Sequence, residues 1–306
     1  MKTNSHSYIE NSNNNNIKIY INGEFFERNN AKISVFDSGF LLGDGVWESF
    51  RLHNGHLCFI NDHIDRLIDG ASELSININK TKNELVDLIK STVAINNMHT
   101  NCHIRMIVSR GLKKTPYQHP NANVGPISIV IIPEYKLADQ SVNKNGLNLK
   151  SVNIIRGTQS NQNPNINSLS KFNCIAACIE GDKLGADEAL MLDINDNVST
   201  CNSTNFFIVK NNEVWTSTGD YCLRGITRQN IIDICKTEGI PVFEKNYTLN
   251  DVYNADEAFI TGTFAGVIPA IAIDDKELSN GTRGKITEKL YNLYKNKIEL
   301  LYPDND

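Results

Sequence analysis

The 306-residue sequence lacks long hydrophobic runs, a strong charge of either sign and paired cysteine motifs. No apolar run approaches the roughly 20 residues of a membrane-spanning helix, and the polar N-terminus has no signal-peptide core. The formal net charge of -5 gives no sign of a basic surface for nucleic acid. The seven cysteines are scattered and never spaced C-x-x-C, which argues against disulfides or a zinc site. We therefore expect a cytoplasmic protein without a metal site, a membrane contact or a nucleic-acid partner.

The composition is that of a soluble globular protein, with 40% hydrophobic and 21% charged residues. Residues 1–16 have almost no apolar content and predict a disordered lead-in. Strand patterns such as 46–52 and 102–109 alternate with helical patterns, and no repeat is visible. The polar residues 137–146 predict a linker. The sequence thus predicts an α+β (mixed α/β) fold, with a small N-terminal α/β domain over 17–136 and a larger C-terminal domain over 147–306.

Lys171 stands in an unusual setting. The pattern places it in the first turns of a helix that is apolar on nearly every side, with one stripe formed by Leu169, Phe172, Ala176 and Ile179. Desolvation penalises a charged ammonium, so such a lysine either reaches solvent or has a lowered pKa. A lysine with a lowered pKa suits Schiff-base chemistry. Burial statistics alone favour the structural alternative, a helix-end lysine that reaches water.

Two glycine-containing segments have the properties of phosphate sites. Gly225-Ile226-Thr227 precedes a predicted helix, where free backbone N–H groups and the positive dipole end favour anions. Gly262-Thr263 follows a predicted strand and adds further N–H groups with a hydroxyl beside them. Arg66 could supply a countercharge. Each signal is weak alone, but a lysine in apolar surroundings together with phosphate sites describes a pyridoxal-phosphate enzyme.

A series of motifs in one order carries a family resemblance over residues 17–294. They are Asn22-Gly23, Asp37-Ser38-Gly39-Phe40, Gly43-Asp44-Gly45-Val46-Trp47-Glu48, His63-Ile64-Asp65-Arg66-Leu67, Ile104-Arg105, Ser109-Arg110-Gly111, Gly185-Ala186-Asp187-Glu188-Ala189, Ser203-Thr204-Asn205-Phe206-Phe207, Gly225-Ile226-Thr227-Arg228 and Thr261-Gly262-Thr263. With these motifs the chain resembles the fold-type IV pyridoxal-phosphate enzymes. That family includes branched-chain and D-amino-acid aminotransferases and aminodeoxychorismate lyase.

The resemblance implies a homodimeric, pyridoxal 5'-phosphate-dependent aminotransferase that acts on a small amino acid and a keto acid. It assigns the cofactor phosphate to Arg66, Ile226, Thr227 and Thr263. Further cofactor contacts are expected from Thr200 and Asn205. It assigns the substrate pocket to Phe40, Trp47, His103, Arg105 and Phe264.

The first departure from the family pattern concerns the Schiff-base lysine. In the ungapped match its position is occupied by Asn167, and Lys171 falls where a tyrosine beside the cofactor ring is common. Four residues of a helix make about one turn, roughly 6 Å, which a lysine side chain can span. We therefore expect Lys171 to be the catalytic Schiff-base lysine. The alternative is a structural Lys171 in a non-catalytic ligand-binding relative.

The second departure concerns the pyridine nitrogen of the cofactor. The family's glutamate, which keeps that nitrogen protonated, is replaced by Thr200. A hydroxyl holds the proton less strongly than a carboxylate, which weakens carbanion stabilisation. This favours a β-eliminating lyase or a racemase as the alternative to an aminotransferase. Residues 115–119 lack the arginine of the D-amino-acid enzymes, so D-specificity is not supported.

Overall fold

The structure is a computed structural model that describes residues 4–304. In chain order the strands are β1 (Tyr8–Ile9), β2 (Lys18–Ile21), β3 (Glu24–Glu27), β4 (Gly45–His53), β5 (His56–Leu57), β6 (Cys102–Ser109), β7 (Ser128–Tyr135), β8 (Leu137–Ala138), β9 (Leu147–Ser151), β10 (Glu188–Leu192), β11 (Val198–Cys201), β12 (Asn205–Lys210), β13 (Glu213–Thr216), β14 (Val242–Glu244), β15 (Glu257–Gly262), β16 (Gly266–Ile273) and β17 (Lys276–Glu277). The helices are α1 (Ser38–Leu42), α2 (Ile60–Glu73), α3 (Lys82–Ile95), α4 (Gln140–Asn145), α5 (Phe172–Lys183), α6 (Ile226–Thr237), α7 (Leu249–Tyr253) and α8 (Lys285–Leu301). Within residues 4–304, no helix combines the length and the apolarity that crossing a bilayer requires.

The described residues divide into two compact units. The N-terminal unit comprises residues 9–137, 166–171 and 302–304, and the C-terminal unit comprises 4–8, 138–165 and 172–301. The division differs from the predicted boundaries because 166–171, which carries Asn167 and Lys171, belongs to the N-terminal unit. The predicted linker also contains regular structure, since β8 and α4 lie within it.

The predicted disordered lead-in is ordered over residues 4–16. The Asn14 side chain donates to the carbonyl of Tyr135 and accepts from its N–H, so the amide pairs with β7 as a strand would. Arg28 donates to the carbonyl of Asn14. These bonds use long-range partners, which composition does not reveal. Residues 1–3, also predicted to be disordered, lie outside the described residues.

The N-terminal unit is built on an antiparallel sheet with strand order β3-β2-β7-β6-β4-β5. Alternation along β4 buries Val46, Phe50 and Leu52 in the core on one face. Helix α2 packs against β4, and α3 packs against α2, with its first turn closed by a Thr81–Glu84 capping box. The opposite face of this sheet carries three predicted substrate residues, Trp47, His103 and Arg105.

The C-terminal unit is built on a mixed sheet with the order β11-β10-β9-β16-β15-β12-β13-β14, and β17 pairs with β16. Strand β9 runs parallel to both of its neighbours, whereas β12 is antiparallel to β13 and β15. Residues 205–209 of β12 are buried without interruption because both faces of this strand are covered. Helices α6 and α8 pack on β15. The two units together confirm the predicted α+β fold class.

Candidate active site

Trp47 contacts two cations on the open face of the N-terminal sheet. Along β4 the side chains of Val46 and Glu48 point into the core, so Trp47 points to the opposite face. The guanidinium carbon of Arg105 lies 4.1 Å from the centroid of the Trp47 ring, and Nζ of Lys171 lies 5.4 Å from it. Both distances suit cation–π attraction. The structure thus brings together two predicted substrate residues and the predicted catalytic lysine.

Arg105 and His103 project from β6 on the same side of the sheet. They are two residues apart on one strand, and Arg105 pairs with Ser49 in register. Burial lowers the pKa of Arg105, while the nearby charge of Glu134 raises it. An arginine stays charged even so. This face therefore offers a partly desolvated cation of the kind that binds a carboxylate well.

A cavity of about 350 Å³ lies on the same face. Ile107 lines it and pairs with Trp47 in register, and Leu169 and the largely exposed Phe40 of α1 also border it. Its other apolar lining residues are Ile19, Ile21, Ala31, Ile33, Val130 and Ile132. The cavity places aliphatic surface beside the Trp47 cluster, which suits an apolar side chain of a ligand.

The segment that carries Lys171 is extended and not helical. The carbonyl of Asn167 accepts from the N–H of Trp47 at 2.9 Å, and the N–H of Leu169 donates to the carbonyl of Gly45 at 2.9 Å. Residues 167–169 therefore run antiparallel beside β4, and α5 begins only at Phe172. The prediction of a helical turn between Asn167 and Lys171 is therefore wrong. Trp47 lies opposite Asn167 on the neighbouring strand, and its ring lies beneath the Lys171 amine.

The predicted apolar stripe continues on α5, where its large side chains are exposed. Phe172 is 79% exposed, and Ile175 and Ile179 on the same side of α5 are exposed too. Periodicity shows that a helix has an apolar face, but it does not show whether that face is covered within the chain. The setting of Lys171 is therefore partly open, and its amine lies close to an aromatic ring.

Asn167 is the buried polar residue of this segment. Its side chain is 6% exposed, and its Oδ1 atom has no hydrogen-bond partner within residues 4–304. Leaving a buried acceptor unpaired costs about 1 to 3 kcal/mol. Residues directly opposite each other on antiparallel strands project to the same side, so this amide faces the same region as Trp47. A ligand N–H would satisfy it.

Arg66 is fixed by a buried carboxylate that the sequence analysis did not single out. Its Nε and one terminal nitrogen donate to the two oxygens of Glu48 at 2.6 and 2.8 Å, and His63 Nδ1 lies 2.6 Å from the same carboxylate. Burial alone would raise the pKa of Glu48, but Arg66 and His63 outweigh it and lower this pKa to about 2. In the sequence, the position of Glu48 among the apolar residues of β4 is the signal that could have identified this carboxylate. The bidentate pair holds the Arg66 guanidinium in one orientation.

The C-terminal unit contains the start of α6 as predicted. Gly225 is the N-cap, and Ile226 and Thr227 form the first turn, where helix geometry leaves the backbone N–H groups without intrahelical acceptors. Asn205 donates to the carbonyl of Leu223 at 2.9 Å and thereby fixes the loop before the helix. A Cβ atom on Gly225 would lie 2.1 Å from Asn205 Oδ1. The close approach explains the glycine, and the helix start fits a phosphate.

Thr200 lies in β11 next to Ser199, whose hydroxyl donates to the carbonyl of Tyr221 in the loop before α6. Thr200 is 5% exposed, and its hydroxyl donates to the carbonyl of Thr204 at 2.7 Å. The hydroxyls of Thr204 and Thr261 are buried and lack hydrogen-bond partners in the described part of the chain. Asn205 and Thr261 pair in register, which brings these hydroxyls to the same strand ends. The Thr261 hydroxyl lies on the side of the strand pair that Asn205 faces, and a buried hydroxyl there fits a polar ligand at the start of α6.

Thr263 and Phe264 lie in the turn between β15 and β16, directly after this strand end. Phe264 is 8% exposed, and the ring of His6 stacks on it. The C-terminal unit thus collects the predicted residues Thr200, Asn205, Ile226, Thr227, Thr263 and Phe264. The N-terminal unit collects Phe40, Trp47, Arg66, His103, Arg105 and Lys171. No sequence pattern pointed to His6.

The family model described as amino-transferase class IV matches residues 45–273. The chain belongs to this family. A provisionally named branched-chain-amino-acid aminotransferase from Methanocaldococcus jannaschii is 38% identical over 91% of this chain and 96% of its own length. A D-alanine aminotransferase from Staphylococcus haemolyticus is 31% identical over 92% of this chain and 98% of its own.

A solved structure of a class IV relative supports the same assignment. The branched-chain amino acid aminotransferase from T.th, complexed with N-(5'-phosphopyridoxyl)-L-glutamate, superposes with a TM-score of 0.85. It is 27% identical and covers 94% of this chain and 95% of its own. The comparisons confirm the predicted family, the fold, the aminotransferase function and the pyridoxal-phosphate cofactor. The individual site residues stay predictions.

Proposed function

We propose that this class IV aminotransferase moves the amino group between a small, branched-chain type of amino acid and a keto acid, with Lys171 as its catalytic amine. One observation carries the proposal. Lys171 Nζ and the Arg105 guanidinium lie over the same Trp47 ring, beside the cavity bordered by Ile107. An amine, a carboxylate-binding cation and an aliphatic pocket are the three contacts that such a substrate needs.

Pyridoxal phosphate supplies an electron-withdrawing ring that stabilises negative charge at the substrate Cα. Lys171 would bind the cofactor covalently and then move the proton to and from that carbon. Arg105 and His103 would hold the substrate carboxylate, and Trp47 and Phe40 would exclude water from it.

The remaining predicted residues are the proposed contacts of the cofactor. In the C-terminal unit, the backbone N–H groups of Ile226 and Thr227 and the Thr263 turn would bind the phosphate, and Thr200 with Asn205 would lie at the ring-nitrogen end. In the N-terminal unit, Arg66 would supply the countercharge. Its bidentate pair with Glu48 supports this role because it holds the guanidinium in one orientation.

Steady-state assay of the cofactor-loaded protein tests the function. With L-leucine and 2-oxoglutarate we expect the branched keto acid and L-glutamate in equal amounts. L-Valine and L-alanine replace leucine in parallel assays. A keto acid released without an added acceptor would indicate a lyase, and no transfer from any of these amino acids would overturn the proposal.

Thr200 should favour the protonated ring nitrogen, although less than a carboxylate does. Its hydroxyl hydrogen is committed to the Thr204 carbonyl, so the oxygen offers only lone pairs and can accept the N–H of the protonated form. Thr200→Val should lower the pKa of that nitrogen by about one unit, the equivalent of one hydrogen bond. The nitrogen-15 chemical shift of labelled, bound cofactor measured against pH reports this pKa. Thr200→Ser should titrate like the wild type. Identical titrations of Thr200→Val and wild type would rule out the contact.

We also propose a homodimer in the cytoplasm. Val35, Phe36 and Leu42 of the N-terminal unit and Phe172 of the C-terminal unit are exposed apolar side chains that a subunit interface would cover. All seven cysteines are free, which suits a reducing compartment. Light scattering of the loaded protein should give twice the 34.3 kDa mass of the chain.

A further inference from the structure

Residues 4–7 of the C-terminal unit form a closed turn, although their composition predicts disorder. The N–H of Ser7 donates to the carbonyl of Asn4, and the N–H of Asn4 donates to Ser7 Oγ. The N–H of His6 donates to Asn4 Oδ1 at 2.8 Å. The N–H of Asp139 donates to the carbonyl of Ser7, which ties the turn to the start of α4. The turn is therefore held both internally and against the unit.

Ser5 anchors this turn on a buried carboxyl group. Its hydroxyl and its backbone N–H both donate to Glu188, and Ser203 donates to the same group from the other side. Glu188 is buried in β10, and burial raises its pKa while the Ser5 donors lower it. A buried carboxyl group without donors is costly, so Ser5 meets a requirement of the unit itself. The position of residue 6 is thereby fixed.

His6 lies on the ring of Phe264. The ring centroids are 6.1 Å apart and the planes differ by 5°, which is an offset stack. Phe264 follows Thr263 in the short turn between β15 and β16. That turn begins at Gly262 and ends at Gly266, which adopts a positive φ of 72°. A turn with glycine at both ends has few side chains to hold it, so the stack adds a restraint.

We propose that the turn of residues 4–7 is a positioning element of the aminotransferase site, in which His6 fixes Phe264 and through it the 262–266 turn against the substrate. The inference rests on the proposed function, because it takes Thr263 as the cofactor contact proposed there and Phe264 as the substrate contact that the sequence predicts. His6 is a positioning residue and not a catalytic one, since it reaches the site only through Phe264. The expected result of losing it is weaker substrate binding with the cofactor still bound.

The test uses the cofactor-loaded full chain and 4-methylvaleric acid, a branched carboxylic acid that cannot react. His6→Ala should weaken binding of this acid by about tenfold in calorimetry, equal to the contribution of one stacking contact. It should also speed hydrogen exchange of the backbone over residues 262–266. His6→Tyr keeps an aromatic ring and should restore both. Ser5→Ala, which frees the turn at its other end, should resemble His6→Ala.

His56→Ala is the matched control because His56 also contacts an aromatic ring, that of Tyr302, in the N-terminal unit. It should change neither measurement. Unchanged binding in His6→Ala overturns the inference, whether or not exchange over 262–266 rises. A loss of the cofactor itself would also overturn it. Neither readout requires turnover, so failure of the amino-transfer assay in the wild type is a separate result that bears on the proposed function alone.

Discussion

Lys171→Ala should abolish covalent attachment of pyridoxal phosphate and lower amino transfer by on the order of 10³-fold, because the proton-transferring amine is lost. Borohydride reduction of the loaded protein, followed by peptide mass spectrometry, locates the attachment. In the wild type we expect the phosphopyridoxyl mass on the peptide that contains Lys171. In Lys171→Ala we expect it on no peptide.

A second variant, Asn167→Lys, tests whether a lysine at position 167 can take over the attachment. The backbone of residue 167 pairs with Trp47, the same residue whose ring lies near Lys171 Nζ. A lysine at 167 would enter the region where the Asn167 oxygen is unpaired. The double variant Asn167→Lys with Lys171→Ala should therefore regain the attachment, now at residue 167.

Lys183→Ala is the control for both variants, since Lys183 is an exposed lysine in the last turn of α5. It should leave attachment and turnover unchanged. A wild-type label on another lysine, or attachment that persists in Lys171→Ala, would contradict the assignment. A wild type that binds the cofactor without any covalent label would contradict it as well.

Glu48→Gln should lower the free energy of unfolding by about 3 kcal/mol at neutral pH, since it leaves Arg66 without its buried counter-charge and His63 without a carboxylate partner. It should also weaken cofactor binding because Arg66 is no longer held in one orientation. Urea denaturation measures the first effect, and equilibrium binding of pyridoxal phosphate measures the second. Glu24→Gln, on an exposed position of β3, is the control.

The ionised Glu48 carboxylate should also make the stability of the protein depend on pH. The folded-state pKa of Glu48 is about 2, below its ordinary value of 4.5. The stability from its ionised form is fully present above pH 4.5 and is lost as the pH falls toward 2. Glu48→Gln should remove this part of the acid dependence. Superimposable acid denaturation of Glu48→Gln and wild type would show that the carboxylate contributes nothing.

The start of α6 and the strand β4 could be predicted from the sequence because their signals are local. A Gly-Ile-Thr run before a helical pattern gives free N–H groups wherever the helix lies. Alternation over Val46–Leu52 specifies two faces of a strand. The functional partner of Arg66 was missed, although Glu48 stands on the apolar face of β4. The pattern marks such a residue as unusual without naming its partner on α2.

The segment before Lys171 has a structure that its local pattern did not predict. The apolar neighbours of Lys171 have helical spacing, but the backbone before this residue pairs with β4, more than a hundred residues away. The unpaired strand edge at Gly45–Trp47 captures residues 167–169, and the helix starts only after Lys171. Similarly, Ser5 and Asn14 are ordered by Glu188 and Tyr135, which lie far along the chain. Low hydrophobicity predicts disorder only when such partners are absent.

The sequence by itself determined the family, the cofactor class and most of the residue types of the site, because motif order and helix-start chemistry are written in short segments. Only the tertiary structure decided that the Asn167 backbone pairs with Trp47, whose ring lies near the Lys171 amine, that Glu48 orients Arg66 and that His6 stacks on Phe264. Each of these is a contact between segments remote in the chain. Such contacts depend on which strand edges and buried charges remain unpaired after the local elements have formed, and no local pattern encodes that.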